Sequence, residues 1–75
     1  MSKTYFFPIV VEQDEDGYVA SCPSLQGCYT QGETYEEVMK NIIDAIKLHM
    51  EDRRAGREKV ILPRTVSIST VEVKI

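Results

Sequence analysis

Residues 16–37 read DGYVASCPSLQGCYTQGETYEE. The stretch holds three glycines, one proline and two cysteines, which fits either an active site or the turns of a small sheet. Asp16-Gly17 predicts a hairpin turn, because glycine adopts the positive φ angles that such turns need. Residues 18–22 have the composition of a strand, and Pro23 ends it because proline cannot donate to a β-ladder. The first half of the stretch is therefore interpreted as the second strand of a hairpin.

The second half of the stretch predicts a third strand and the start of a helix. Gly27 allows another turn, residues 28–31 form a short strand, and Gly32 ends it. Thr34 and Glu37 have the spacing of a capping box, in which the threonine hydroxyl accepts from the glutamate amide and the glutamate reaches back. The stretch thus decides the order of the elements.

The helix that follows is predicted to run from Tyr35 to near Ala55. Its apolar residues recur with helical period, which indicates one buried face. The predicted apolar arc consists of Tyr35, Val38, Met39, Ile42, Ile43, Ala45, Ile46, His49 and Met50. Gly56 is suited to a left-handed helix end.

Two more segments have strand composition. Residues 4–12, TYFFPIVVE, predict the first strand, although Pro8 is unfavourable inside a central strand. Residues 65–75, TVSISTVEVKI, predict the last strand, with a bulge where the alternation slips. We expect one α+β domain over residues 1–75: a three-stranded antiparallel meander, one helix, and a final strand parallel to the first. A right-handed crossover then gives the sheet order third, second, first, last.

The first strand is apolar on both sides, whereas a single helix covers only one face of a sheet. Phe6 and Val10 lie on the side opposite Phe7 and Ile9. Because the second face needs a cover, we expect a homo-oligomer, a dimer or tetramer, or a partner protein bound through Phe6 and Val10.

The charges are unevenly distributed along the 75 residues. Net charge is −3, but residues 1–37 hold one lysine against seven acidic residues, and residues 38–75 hold eight basic residues against five acidic ones. The acidic front half suits a basic partner. Asp14, Glu15 and Asp16 are its only clustered carboxylates, which indicate either a solvated turn or a contact with a metal or partner.

Several kinds of chemistry are disfavoured by the residues present. Cys22 and Cys28 have no cation or helix N-terminus beside them in the sequence and are interpreted as free, packed thiols. His49, on the apolar arc, has no neighbouring nucleophile, and no glycine loop is followed by the lysine of a phosphate site. We expect no enzyme activity, no cofactor and no metal site. Without a signal peptide or membrane span, we expect a cytoplasmic protein.

A basic patch near the end of the helix leaves two interpretations open. Either it complements the helix dipole, or it contacts nucleic acid. The patch comprises Arg53, Arg54, Arg57, Lys59 and Arg64.

Taken together, residues 4–52 closely resemble the HicB-like antitoxin family. The residues that carry the resemblance are Asp16-Gly17, Pro23, Leu25, Gly27, Cys28, Thr30, Gly32, Thr34 and Glu36-Glu37. It implies a partial ribonuclease-H-like fold and a protein that binds and blocks a small basic, RNA-cleaving toxin of the HicA type. Many relatives add a C-terminal DNA-binding segment after the last strand; we expect none here, so direct DNA binding is not expected. The alternative is an orphan self-associating structural or ligand-binding module without a toxin partner.

Overall fold

A computed structural model describes residues 4–56 and 60–75 of the chain. In these ranges the protein has α+β architecture, as predicted. The elements, in chain order, are β1 (Val10–Asp14), β2 (Gly17–Ser21), β3 (Tyr29–Gly32) and α1 (Tyr35–Ala55). The strands form an antiparallel sheet in the order β1-β2-β3, which confirms the predicted meander.

The first hairpin turns where the acidic-glycine pair predicts it. Asp14 pairs with Gly17, so only two residues form the turn between β1 and β2. Gly17 has a φ of 138°, a region that side-chain-bearing residues rarely adopt. The amide of Asp16 donates to the Asp14 carboxylate oxygen Oδ1 at 2.8 Å, which stabilises the turn locally.

The loop with the two cysteines is closed by backbone hydrogen bonds. The Cys22 amide donates to the Cys28 carbonyl at 2.9 Å, and the Cys28 amide donates to the Leu25 carbonyl at 3.1 Å. All three side chains are buried. Residues 22–28 thus form a compact turn whose buried side chains supply three of the six core residues.

The capping box is present at the start of α1, with one difference from the prediction. The Thr34 hydroxyl accepts from the Glu37 amide at 3.1 Å. The Glu37 carboxylate accepts from the amide of Glu33 at 3.2 Å rather than from that of Thr34. The cap therefore extends one residue upstream of the threonine.

The core lies between one face of the sheet and one stripe of the helix. Its fully buried members are Ala20, Cys22, Leu25, Cys28, Val38 and Ile42. Tyr35 and Ile43, which belong to the predicted apolar arc, are about half exposed, so the buried stripe is narrower than that arc. The reason is that α1 packs on β2 and β3 rather than on β1, and a three-stranded sheet of this width covers only part of the helix.

Both end strands differ from the sequence predictions. β1 begins at Val10 and not at residue 4, because β2 ends at Ser21 and offers no partner to the residues before Val10. Pro8 therefore precedes the strand, which removes the conflict of a proline inside a ladder. Residues 65–75 form no strand within the described chain, so the fourth strand and the order third, second, first, last are not observed.

Among residues 4–56 and 60–75, no helix combines the length and the apolar character of a membrane span.

Candidate partner-binding surface

An acidic cleft opens at the end of the sheet where the first hairpin turns. Its volume is about 580 Å³, and it lies between the β1–β2 turn, the end of β3 and the start of α1. Its lining residues are Asp14, Asp16, Gly17, Tyr18, Val19, Gln31, Gly32, Glu33 and Glu37. Four of these nine residues have carboxylate side chains and none is basic, which gives the cleft a negative potential.

Two glycines let the elements around the cleft approach each other closely. A Cβ added at Gly17 would lie 2.7 Å from the carbonyl oxygen of Gly32. A Cβ added at Gly32 would lie 2.7 Å from the amide nitrogen of Val38 in α1. Because real Cβ atoms do not come this near to backbone atoms, both positions require glycine to hold the turn, β3 and the helix together.

The four carboxylates of the cleft have different local roles. Asp14 accepts from the Asp16 amide, and Glu37 accepts from the Glu33 amide, so these two side chains support their own turns. The side chains of Asp16 and Glu33 are exposed. They extend the negative surface without supporting the fold, and they are therefore the better candidates for contact with a partner.

The structure brings together part of the acidic site that the sequence predicts and adds to it. Asp14 and Asp16 line the cleft, whereas Glu15 is exposed in the turn but is not among the lining residues. Glu33 and Glu37 were not predicted to belong to the site. They lie about twenty residues further along the chain, and only the pairing of β2 with β3 places them beside the turn.

The helix-free face of the sheet adjoins the cleft through Val19 and carries apolar side chains beside the polar Glu12, Ser21 and Gln31. From the strand register, Val10, Val19 and Tyr29 lie on the face opposite the core. Tyr29 is 71% exposed. Phe6, 86% exposed, lies in the segment before β1. The sequence-based prediction of the partner surface did not include Tyr29. Because successive residues of an extended chain point to opposite faces, its position directly after the packed Cys28 would have placed it on this face.

The predicted apolar and acidic residues do not converge on one spot. Val10 begins β1 and Asp14 ends it, so the two lie about 13 Å apart along the strand at roughly 3.3 Å per residue. A protein partner that spans β1 is large enough to contact both sets.

The two cysteines are part of the core and not of either surface. Burial raises the pKa of Cys22, and hydrogen bonds from the backbone at Ser24 and Leu25 oppose this shift. Burial also raises the pKa of Cys28, reinforced by the nearby charge of Cys22 in its thiolate form and opposed by Arg53. Both thiols are unbridged and favour the neutral form, which suits packing rather than nucleophilic chemistry.

The remaining predicted features are His49, the basic patch and a possible metal site. His49 is half-buried on α1. Of the basic patch, Arg57 and Lys59 lie outside the described residues, and so does the side chain of Arg54. Within the described ranges, no group of three or more His, Cys, Asp or Glu side chains has an arrangement that would hold a metal ion.

Comparison with known proteins identifies related chains. Residues 7–73 match the family described as HicB_like antitoxin of bacterial toxin-antitoxin system. A "UPF0150 protein" of Helicobacter pylori is 39% identical over 64 residues, which cover 85% of this chain and 89% of the relative. One of Archaeoglobus fulgidus is 39% identical over 69 residues, covering 91% of this chain and 94% of the relative.

A longer relative has an antitoxin name. "Antitoxin HicB 1" of Photorhabdus laumondii subsp. laumondii is 33% identical over 72 residues, which cover 95% of this chain but 46% of that protein. The chain thus spans about half the length of that antitoxin. Since the family match covers most of the chain, and full-length relatives share well over 30% identity, this protein belongs to the HicB-like antitoxin family of bacterial toxin–antitoxin systems.

Proposed function

We propose that the protein is an antitoxin that binds a small, basic, RNA-cleaving toxin of the HicA type and covers its RNA-binding surface. The observation that carries the proposal is the acidic cleft between the first hairpin and the start of α1. A toxin that binds RNA needs basic side chains to contact phosphates, and those same side chains are complementary to a cleft with four carboxylates.

The cleft supplies two different contributions to binding. Exposed carboxylates such as Asp16 and Glu33 attract a basic partner over about a Debye length and so raise the association rate. Such rim charges contribute less to the final affinity, because water and salt screen them. The strength of the complex then requires an apolar contact as well.

The helix-free face offers that apolar contact. Val10, Val19 and Tyr29 lie on it, and Phe6 precedes it, so it presents aromatic side chains of the kind that anchor protein interfaces. We propose that this face is covered by the toxin or by another copy of the chain, and that the protein acts in the cytoplasm as a homo-oligomer.

A non-enzymatic role is consistent with the residues of both surfaces. The exposed carboxylates of the cleft are contributed by a turn and a helix cap, where two of them hold backbone amides. The buried thiols favour their neutral form. We therefore propose inhibition by contact rather than by chemistry.

Co-expression with the product of the adjacent gene tests the proposal. We expect that product to arrest growth and cleave RNA when expressed alone, and to do neither when this protein is present. The two should also co-purify as a stable complex. If the product is equally toxic in the presence of this protein, or no complex forms, the antitoxin role is wrong and the self-associating module without a toxin takes its place.

A further inference from the structure

The last eleven residues of the sequence are strand-like but unpaired in the single chain. Residues 65–75 are rich in β-branched side chains, yet they form no strand. Val66, Ile68, Val71 and Val73 are between 49% and 77% exposed. Alternation of these side chains with polar residues would place several of them on one face of a strand, and such an apolar face is usually covered by a partner surface.

The overall dimensions are those of an elongated molecule, as expected if the exposed segment lies away from the core. The radius of gyration is 14.3 Å, whereas a compact chain of this length has about 11 Å. The molecule is 47 Å long but only 27 Å and 19 Å across. The elongation fits an arm that reaches away from the sheet.

The sheet has one open edge that can accept a strand. Among the described residues β1 pairs with β2 alone, so its other side presents backbone groups without a strand partner there. The opposite edge, β3, is partly occupied, because the Asn41 side chain donates to the Gln31 carbonyl at 3.0 Å and α1 packs beside it. α1 does not contact β1, so no helix covers the free edge of β1. The inner side of β1 is partly used, because Val11 packs against the core.

The open edge is long enough to accept the exposed segment. Residues 4–14 form one continuous segment of eleven residues that comprises β1 and the strand-like residues before it, and residues 65–75 also number eleven. Residues 4–9 lack a strand partner because β2 ends at Ser21. A strand added along β1 would supply that partner, while Pro8 would remove only one donor from the new ladder.

We infer that two copies of this chain exchange their C-terminal segments, residues 65–75 of each copy pairing in parallel with β1 and residues 4–9 of the other. Each copy gives one segment and accepts one, so the exchange closes at two chains with two-fold symmetry. The fourth strand that the sequence predicts is thus present, but between chains. The exchange does not depend on any toxin.

Two measurements on the protein alone test the exchange. Light scattering at micromolar concentration should give the mass of a dimer. In a one-to-one mixture of ¹³C-labelled and unlabelled protein, re-formed from unfolded chains, isotope-filtered NOE spectra should connect residues 65–75 of one chain with residues 4–14 of the other. A monomeric mass, contacts only within one chain, or a dimer without these contacts would each overturn the inference.

A pair of matched variants adds a second readout. Val71→Asp with Val73→Asp places charges on the apolar side of the segment and should convert the dimer to a monomer while helical circular dichroism is retained. Glu72→Gln with Lys74→Gln changes the intervening positions and should leave the dimer intact. If the aspartate variant stays dimeric, the exchange is wrong. Because no toxin is present, these outcomes are independent of the test of antitoxin function.

Discussion

The Thr34 hydroxyl oxygen lies 3.1 Å from the Glu37 amide nitrogen and caps the first turn of α1. Without this acceptor, one of the amides at the helix start would have to be satisfied by water. The same turn contributes Glu33 and Glu37 to the acidic cleft. The cap therefore fixes both the helix and one wall of the candidate site.

Removal of the cap should destabilise the protein measurably. Thr34→Ala is expected to lower the free energy of unfolding by about 0.5–2 kcal/mol, the usual cost of losing a threonine cap. Denaturant unfolding followed by circular dichroism measures this change. Thr34→Ser, which keeps the hydroxyl, should remain close to wild type. An unchanged midpoint for the alanine variant would contradict the role of this hydrogen bond.

Gly32 and Gly27 should differ in their tolerance of a side chain. Gly32→Ala places its Cβ 2.7 Å from the Val38 amide nitrogen, so α1 must shift from β3. We expect a loss of about 1–3 kcal/mol, as for other overpacked sites. At Gly27, where φ is 78°, a Cβ meets no atom within 4 Å. Gly27→Ala should thus cost only the backbone strain of about 1–2 kcal/mol.

A chemical-shift comparison separates these two glycine variants further. Gly32→Ala should change the amide resonances of the residues around the acidic cleft, whereas Gly27→Ala should leave them unchanged. Equal shifts at the cleft in both variants would contradict the close approach of β3 and α1.

The buried thiols should make stability fall at alkaline pH. Burial raises the pKa of Cys22 and Cys28 in the folded state above the ordinary value of about 8.5. Burial of the two neutral thiols therefore stabilises the folded protein fully at pH values below the thiol pKa of the unfolded chain. This stabilisation is lost as pH rises through the higher thiol pKa values of the folded protein. We expect the free energy of unfolding to decline above about pH 8.5.

The cysteine contribution can be isolated by substitution. In the double variant Cys22→Ala with Cys28→Ala, the free energy of unfolding should fall less between pH 8.5 and 9.5 than it does in the wild type. This difference in slope is expected whatever the change in absolute stability. Denaturant titrations at each pH give both curves. Parallel curves for the two proteins would show that the thiols keep the same pKa on folding.

Charge reversal in the cleft should slow the encounter with the toxin. Asp16→Lys with Glu33→Lys changes the two cleft carboxylates that support no turn, and we expect the association rate to fall about tenfold at low salt. Stopped-flow mixing with the product of the adjacent gene measures the rate, and added salt should reduce the difference. Asp44→Lys with Glu51→Lys makes the same change in net charge on exposed positions of α1 outside the cleft. An equal effect of both pairs would contradict a specific role for the cleft.

The local elements of this protein were determined by the sequence alone. Asp16-Gly17 located the hairpin turn, and Thr34 with Glu37 located the start of a helix whose bounds match the prediction. Turn and cap signals act over two to four residues through φ angles and side-chain to backbone hydrogen bonds. They therefore operate in the same way in any tertiary context.

The tertiary structure alone decided which strands pair and which distant residues form the cleft. Strand composition in residues 4–9 and 65–75 predicted two long strands, but a strand exists only where a neighbouring backbone completes its hydrogen bonds. Within the part of the single chain that the structure describes, neither segment has that neighbour. The acidic cleft likewise joins Asp16 to Glu33 through the pairing of β2 with β3, since spacing along the sequence does not determine distance in the fold.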